Sequence, residues 1–176
     1  YAHVIPFMTD DGYTRSQAAF VFAVQGGVAL LSKFFWASVM QKRSPRGLSV
    51  LAMAMMGTSV ALMPLASGVS LIALLVVFSL FGFGVGGMFP LFDFVWAWYF
   101  GRRYIASVRS TGLPISVLIA VTGPILTGYY YDAVGNYTGA FFTLAVVIAA
   151  GASLILISRR PEPKQPAATP PLVQGA

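Results

Sequence analysis

Cysteine is absent from this chain, which excludes disulfides and thiol chemistry and leaves the compartment open. Histidine occurs once, as His3. A lone imidazole with no thiolate provides no metal-ligand constellation. The serines have no other base, and no acid is placed to orient His3, so no Ser–His–Asp machinery can be assembled. This inventory argues against an enzyme and calls for no cofactor and no metal. Charge is scarce as well. Only 9% of the residues are charged, against about 25% in an ordinary soluble domain, so water is not the main solvent. The net charge of +6 would suggest nucleic acid in a soluble protein. Here nine of the eleven basic residues fall in three short clusters on one predicted face, which topology explains better than a basic groove, so no nucleic-acid partner is expected.

What the chain has in abundance is apolar length: 57% of its 176 residues are hydrophobic, and the mean hydropathy is +0.78. Crossing ~30 Å of hydrocarbon takes about 20 helical residues, and five stretches are long enough. They run roughly Ala18–Met40, Leu48–Leu65, Ser70–Phe100, Tyr104–Tyr131 and Gly139–Ser158. The first is preceded by the turn cluster Thr9-Asp10-Asp11-Gly12. A capping box follows it, with Thr14 as N-cap and Gln17 reaching back. The second follows a basic, proline-containing loop over Gln41–Gly47. The third passes Pro90 and ends in the interfacial aromatics Trp96, Trp98 and Tyr99, and the fourth contains Pro114 and Pro124. The apolar piece Tyr1–Met8 is too short to span. With no initiator Met and no signal peptide, it reads as the outer end of a helix whose upstream part is missing. The expected architecture is an all-α membrane protein: a polytopic bundle of five full transmembrane helices over 9–158, led by the end of a sixth at 1–8. The proline-rich stretch 159–176 is expected to be a disordered tail.

The loops alternate in charge. Lys42, Arg43, Arg46, Arg102, Arg103, Arg109, Arg159, Arg160 and Lys164 lie toward one side, while the opposite loops carry Asp10, Asp11, Asp132 and the single cation Arg15. Because Lys and Arg are retained on the cytoplasmic side, the carboxyl terminus is expected in the cytoplasm and Tyr1 toward the outside. The setting is an integral, multi-pass protein of the cell or inner membrane, with the lipid bilayer as its first partner.

Four features within the spans bear on function. Gly82-Phe83-Gly84-Val85-Gly86-Gly87 fits a dinucleotide fingerprint in letters. It lacks the strand before it and the acid after it, so close helix packing through Gly82 and Gly86 is the expectation. Lys33 lies nine residues before Lys42, about 13 Å from the basic loop at 1.5 Å per residue. A cation at that depth faces a water-filled cavity or a partner, or else snorkels to the inner headgroups. Asp93 lies nine residues before Arg102 on a parallel span. Equal offsets put it at the depth of Lys33, as a pairing partner or as a near-interface acid drawn to Arg102 or Arg103. His3 is a candidate proton-linked group or an ordinary wetted helix end.

The residues also resemble the carboxyl-terminal half of a major facilitator superfamily transporter, of the monocarboxylate or oxalate/formate antiporter-like type, over about 1–160. The stretches that carry the likeness are His3-Val4-Ile5-Pro6-Phe7 with Thr9-Asp10, then Tyr99-Phe100-Gly101-Arg102-Arg103-Tyr104. A third runs through Gly123-Pro124, Gly128-Tyr129-Tyr130-Tyr131-Asp132 and Gly135-Asn136-Tyr137. The resemblance implies that Lys33 matches the eighth-helix cation that binds an anionic substrate, and that Gln41, Lys42, Arg43 and Arg46 belong to the gating loop. The family's pattern there, G-x-x-x-D-R-x-G-R-R, is altered, with Ala37 in place of the glycine and Gln41 in place of the acid. Ser116 stands where oxalate-type members carry a lysine, which favours a monoanion over a dicarboxylate. The expected function is secondary transport, antiport or symport, of a small organic anion by alternating access. Lys33 and Asp93 would form the binding site, Asp93 and His3 are candidates for coupling a proton, and the amino-terminal half of the same protein completes the cavity. A non-transporting membrane module, such as a receptor or assembly subunit, is the alternative from another class. A half-size carrier acting as a homodimer is a third, which the short leading helix disfavours.

Overall fold

The computed structural model describes residues 3–158. They form α1 (Val4–Asp10), α2 (Arg15–Met40), α3 (Pro45–Ser67), α4 (Leu71–Phe100), α5 (Ile105–Val134) and α6 (Thr138–Ile157), with a single 3-10 turn at Arg102–Tyr104 between α4 and α5. No strand occurs among the described residues. Each of α2 to α6 is long and apolar enough to cross a membrane. Helices suit that solvent because they satisfy every backbone polar group from within. The all-α bundle of five spans with a short leading helix is therefore what the sequence forms. The stretch 159–176, expected to be disordered, lies outside the described residues.

Local chemistry sets the helix starts. Thr14 accepts the Gln17 amide N–H while the Gln17 side-chain oxygen accepts the Thr14 amide at 2.9 Å, completing the capping box. Ser44 caps α3 by accepting from the Gly47 amide, and Pro45 stands at its first position. This corrects the loop expected through Gly47: proline fits the first helical turn, where its missing N–H would have had no partner anyway. Ser70 caps α4 through the Ala73 amide. The ends of α4 and α5 need backbone that only glycine adopts without strain, supplied by Gly101 at φ +78° and Gly135 at φ +74°. α5 continues through Pro114 and Pro124.

The short turns alternate between the two ends of the bundle. One end carries the basic turns at 41–44 and 101–104; the other carries Asp10, Asp11 and Asp132. We call them the basic and acidic ends. α4 is the hub, with α2 and α3 packed against it and α6 behind α3. Glycines make this possible. A methyl group on Gly82 would collide with the Gln25 carbonyl, and one on Gly86 with the Ala29 carbonyl and the Ser32 hydroxyl. On the other side of α4, a methyl on Gly84 would lie 2.9 Å from the Ala52 carbonyl of α3. The glycine motif is thus a packing seam inside one helix, as its apolar surroundings implied. In lipid there is little hydrophobic drive between helices, so such close backbone approach supplies much of the cohesion. One further interhelical bond completes it: the Trp36 indole lies on Gly87, and its N–H donates to the Phe83 carbonyl at 2.8 Å.

Candidate functional site

Lys33 projects from a distinctive strip of α2. The helix seats on α4 through Val21, Gln25, Ser32 and Trp36, all buried. About a quarter-turn round, at ~100° per residue, runs a strip of mostly small side chains, Gly26, Ala29, Lys33 and Ala37, in which Lys33 itself is exposed. Beyond it lies a bulky apolar strip, Phe20, Leu30, Leu31 and Phe34, the last 77% exposed. The bulky strip is suited to lipid, and the small-residue strip that bears the ammonium is not part of it. Among the described residues, Lys33 has no ion-pair partner.

The packing seam also sets the relative heights of the two charges. Gln25 meets Gly82, Ala29 meets Gly86 and Trp36 meets Gly87. Lys33 is therefore level with the turn of α4 around Gly87. Asp93 lies six residues further on, some 9 Å nearer the basic end at 1.5 Å per residue. The structure does not bring Lys33 and Asp93 together. The Asp93 partner is Arg109 of α5, whose guanidinium approaches one carboxylate oxygen at 3.2 Å. Arg103 makes no ion pair with Asp93, the Arg102 side chain lies outside the described residues, and Arg109 is the residue that sequence reasoning missed. A signal existed: Asp93 stands eight residues before Gly101 and Arg109 eight after it. On antiparallel neighbours that symmetry makes them level.

His3 lies at the start of α1, away from both. Its Nε2 is 3.0 Å from the Pro124 carbonyl of α5, and its Nδ1 is 3.4 Å from the Tyr137 hydroxyl. A carbonyl only accepts, so Nε2 carries the proton. In the neutral ring Nδ1 then accepts from Tyr137; in the charged ring it donates. Around this contact, Tyr137 stacks on Tyr131 with centroids 4.3 Å apart, and Phe7 packs on Phe141 at 4.7 Å. Tyr137, in the α5–α6 turn, is held above the ordinary tyrosine range by its burial, then by the charges of Asp10 and Asp132.

The proposed loop residues sit at the basic end. Gln41 caps the carboxyl end of α2, just past the Val39 carbonyl. Lys42 and Arg43 donate their amides to the same carbonyl, at 3.0 and 3.1 Å. Arg46 lies in the first turn of α3, half-buried. None of these three cations pairs with a carboxylate among the described residues. Two open apolar cavities are present, and neither is lined by Lys33 or Asp93. One of about 650 Å³ lies between α4 and α5 at the basic end, bordered by Trp96, Phe100, Ser107, Val108 and Gly112. The other, about 480 Å³, is a small-residue groove between α3 and α6. Among the described residues no cluster of three His, Asp or Glu side chains could hold a metal.

Five apolar spans around a glycine-bearing central helix are long enough to cross a membrane. The sequence profile of the Major Facilitator Superfamily matches residues 1–174. The chain belongs to the major facilitator superfamily. No match was found among curated proteins. As a member of this superfamily the chain is a multi-pass integral membrane transporter for a small molecule, and the alternative of a non-transporting module is not favoured. Superfamily transporters are generally not enzymes, in keeping with the side-chain inventory.

Proposed function

We propose that this chain is the carboxyl-terminal part of a secondary transporter that moves a small organic anion, a monocarboxylate, by alternating access. The observation that carries the reading is Lys33, an ammonium on the small-residue strip of α2 that has no carboxylate partner among the described residues. A charge at that depth is costly unless it faces water or a counter-ion. A transported carboxylate supplies the counter-ion. Asp93, nearer the basic end and engaged with Arg109, modulates the charge along the route to that side. His3 is the candidate for proton coupling at the acidic end, because it can keep both its contacts in either protonation state. Gln41, Lys42, Arg43 and Arg46 form the gating loop between α2 and α3, and an amino-terminal half of the same protein closes the cavity. The excess of cations at the basic end orients it to the cytoplasm of the plasma or inner membrane.

Uptake of a radiolabelled monocarboxylate into vesicles holding the full-length transporter tests the assignment. A charge-assisted hydrogen bond is worth about 1.5–3 kcal/mol. Lys33→Ala is therefore expected to raise KM by about ten- to a hundredfold, with Lys33→Arg retaining part of the affinity. An unchanged KM in Lys33→Ala would remove Lys33 from the site.

A further inference from the structure

Helix α5 is attached to its neighbours in an unusual way. None of its residues is buried, and its two internal prolines each remove a backbone N–H from the helix ladder. At the basic end it holds α4 through two contacts. Trp96 lies against Gly112, where a methyl group would stand 3.0 Å from the indole. About one turn closer to the connecting turn on α5, and one turn farther from it on α4, Arg109 reaches Asp93 at 3.2 Å. Beside both opens the cavity of about 650 Å³, with Trp96 and Phe100 on one wall and Ser107, Val108 and Thr111 on the other.

The pair itself is built to be breakable. The guanidinium approaches the carboxylate at 3.2 Å, and the two side chains are 56% and 47% exposed. A half-exposed pair is far weaker than a buried bidentate one. It is nonetheless the only ion pair among the described residues, and Asp93 is the only described acid near the basic end. Arg109 therefore has no competing carboxylate there to hold α5 in another register.

We propose that Asp93 and Arg109 form a latch that keeps the basic-end half of α5 on α4, and that the latch opens as α5 swings away and widens the cavity beside Trp96. Both are positioning residues: they set where α5 stands and do not hold the cargo. The purpose of the latch rests on the transporter reading above, but its existence does not depend on what is carried.

The absence of cysteine in this chain makes a distance measurement direct. Phe89 on α4 and Leu113 on α5 are exposed, at 73% and 59%, and each lies twelve residues from Gly101. Spin labels on Phe89→Cys and Leu113→Cys in the full-length, otherwise cysteine-free transporter, reconstituted in liposomes, report the separation of the two helices. Breaking the latch with Asp93→Asn or Arg109→Gln is expected to raise the population of a longer distance about two- to fivefold, the range open to a half-exposed pair. The charge-swapped Asp93→Arg/Arg109→Asp chain is expected to return it toward the original distribution. Arg109→Lys keeps the charge with a different donor geometry and covers the case of a neutral variant that does not fold; it is expected to give an intermediate population. Unchanged distances in the neutral variants, a wild-type distribution in Arg109→Lys when the neutral variants do not fold, or no recovery in the swap would overturn the latch. A pair that served only stability would lower Tm without adding a second distance, and that result also overturns it. Failure of monocarboxylate uptake alongside the expected distance changes would count against the cargo and leave the latch standing.

Discussion

The seam between α2 and α4 and the outer helix α5 are made of similar residues and behave in opposite ways. Both contain several glycines and small side chains. In the seam each glycine faces a backbone carbonyl or an aromatic ring of the neighbouring helix, so no added carbon fits. On α5 only Gly112 meets a ring, that of Trp96, whereas Gly123 has nothing near it and Gly128 meets only the edge of His3, at 3.9 Å. α3 buries ten residues and α5 none, so the difference is one of placement in the bundle and not of composition. A glycine in a membrane helix is a contact only when a neighbouring helix brings a backbone or a ring to meet it. Elsewhere it lowers helix stability and leaves the element easier to bend.

Substitutions can break or sharpen this contrast. The largest effect is expected from Gly86→Val, whose side chain has to displace Ala29 and Ser32. Overpacking of this kind costs about 3 kcal/mol or more, and thermal unfolding in detergent should show a large fall in Tm or no folded protein at all. A wild-type Tm would mean that the seam is looser than described. Trp36→Phe comes next. It keeps an aromatic ring against Gly87 and loses the N–H donated to Phe83, which is worth about 1 kcal/mol; the same melting measurement reads it. Smallest is Gly123→Ala on α5, expected to be neutral or to stabilise by up to about 1 kcal/mol through helix propensity. A clear destabilisation there would show that the turn of α5 around Gly123 is packed against something, and the contrast would fail.

How much of this could be read beforehand depended on the range of the interaction. The capping box at Thr14 and Gln17 is a contact across three residues, and it was legible. The span limits were legible to within one to three residues, because apolar length fixes them. The exception was Pro45: the same residue that marks a turn also opens a helix when a Ser stands before it. The partner of Asp93 was missed because nearness along the chain favoured Arg102 and Arg103, whereas antiparallel helices put levels, not neighbours, in contact. The relative heights of Lys33 and Asp93 went wrong for a related reason. Each lies seven residues from the end of its own helix, Met40 or Phe100, but the two helices do not end level. Their register is set by where glycines meet carbonyls, and the loop positions carry no information about it. The cation on α2 was nonetheless conspicuous, since an ammonium amid apolar residues stands out in any reading.

The glycines of α4 have one last effect, on a residue they never touch. Lys33 follows Ser32, and Ser32 rests on Gly86, so the helix pair works like a screw in a cut thread that dictates both depth and azimuth of the ammonium. Adding one residue to α2 between Ser32 and Lys33 would carry the charge about 100° round and about 1.5 Å along the axis. It would then stand where Phe34 now does, pointing into hydrocarbon.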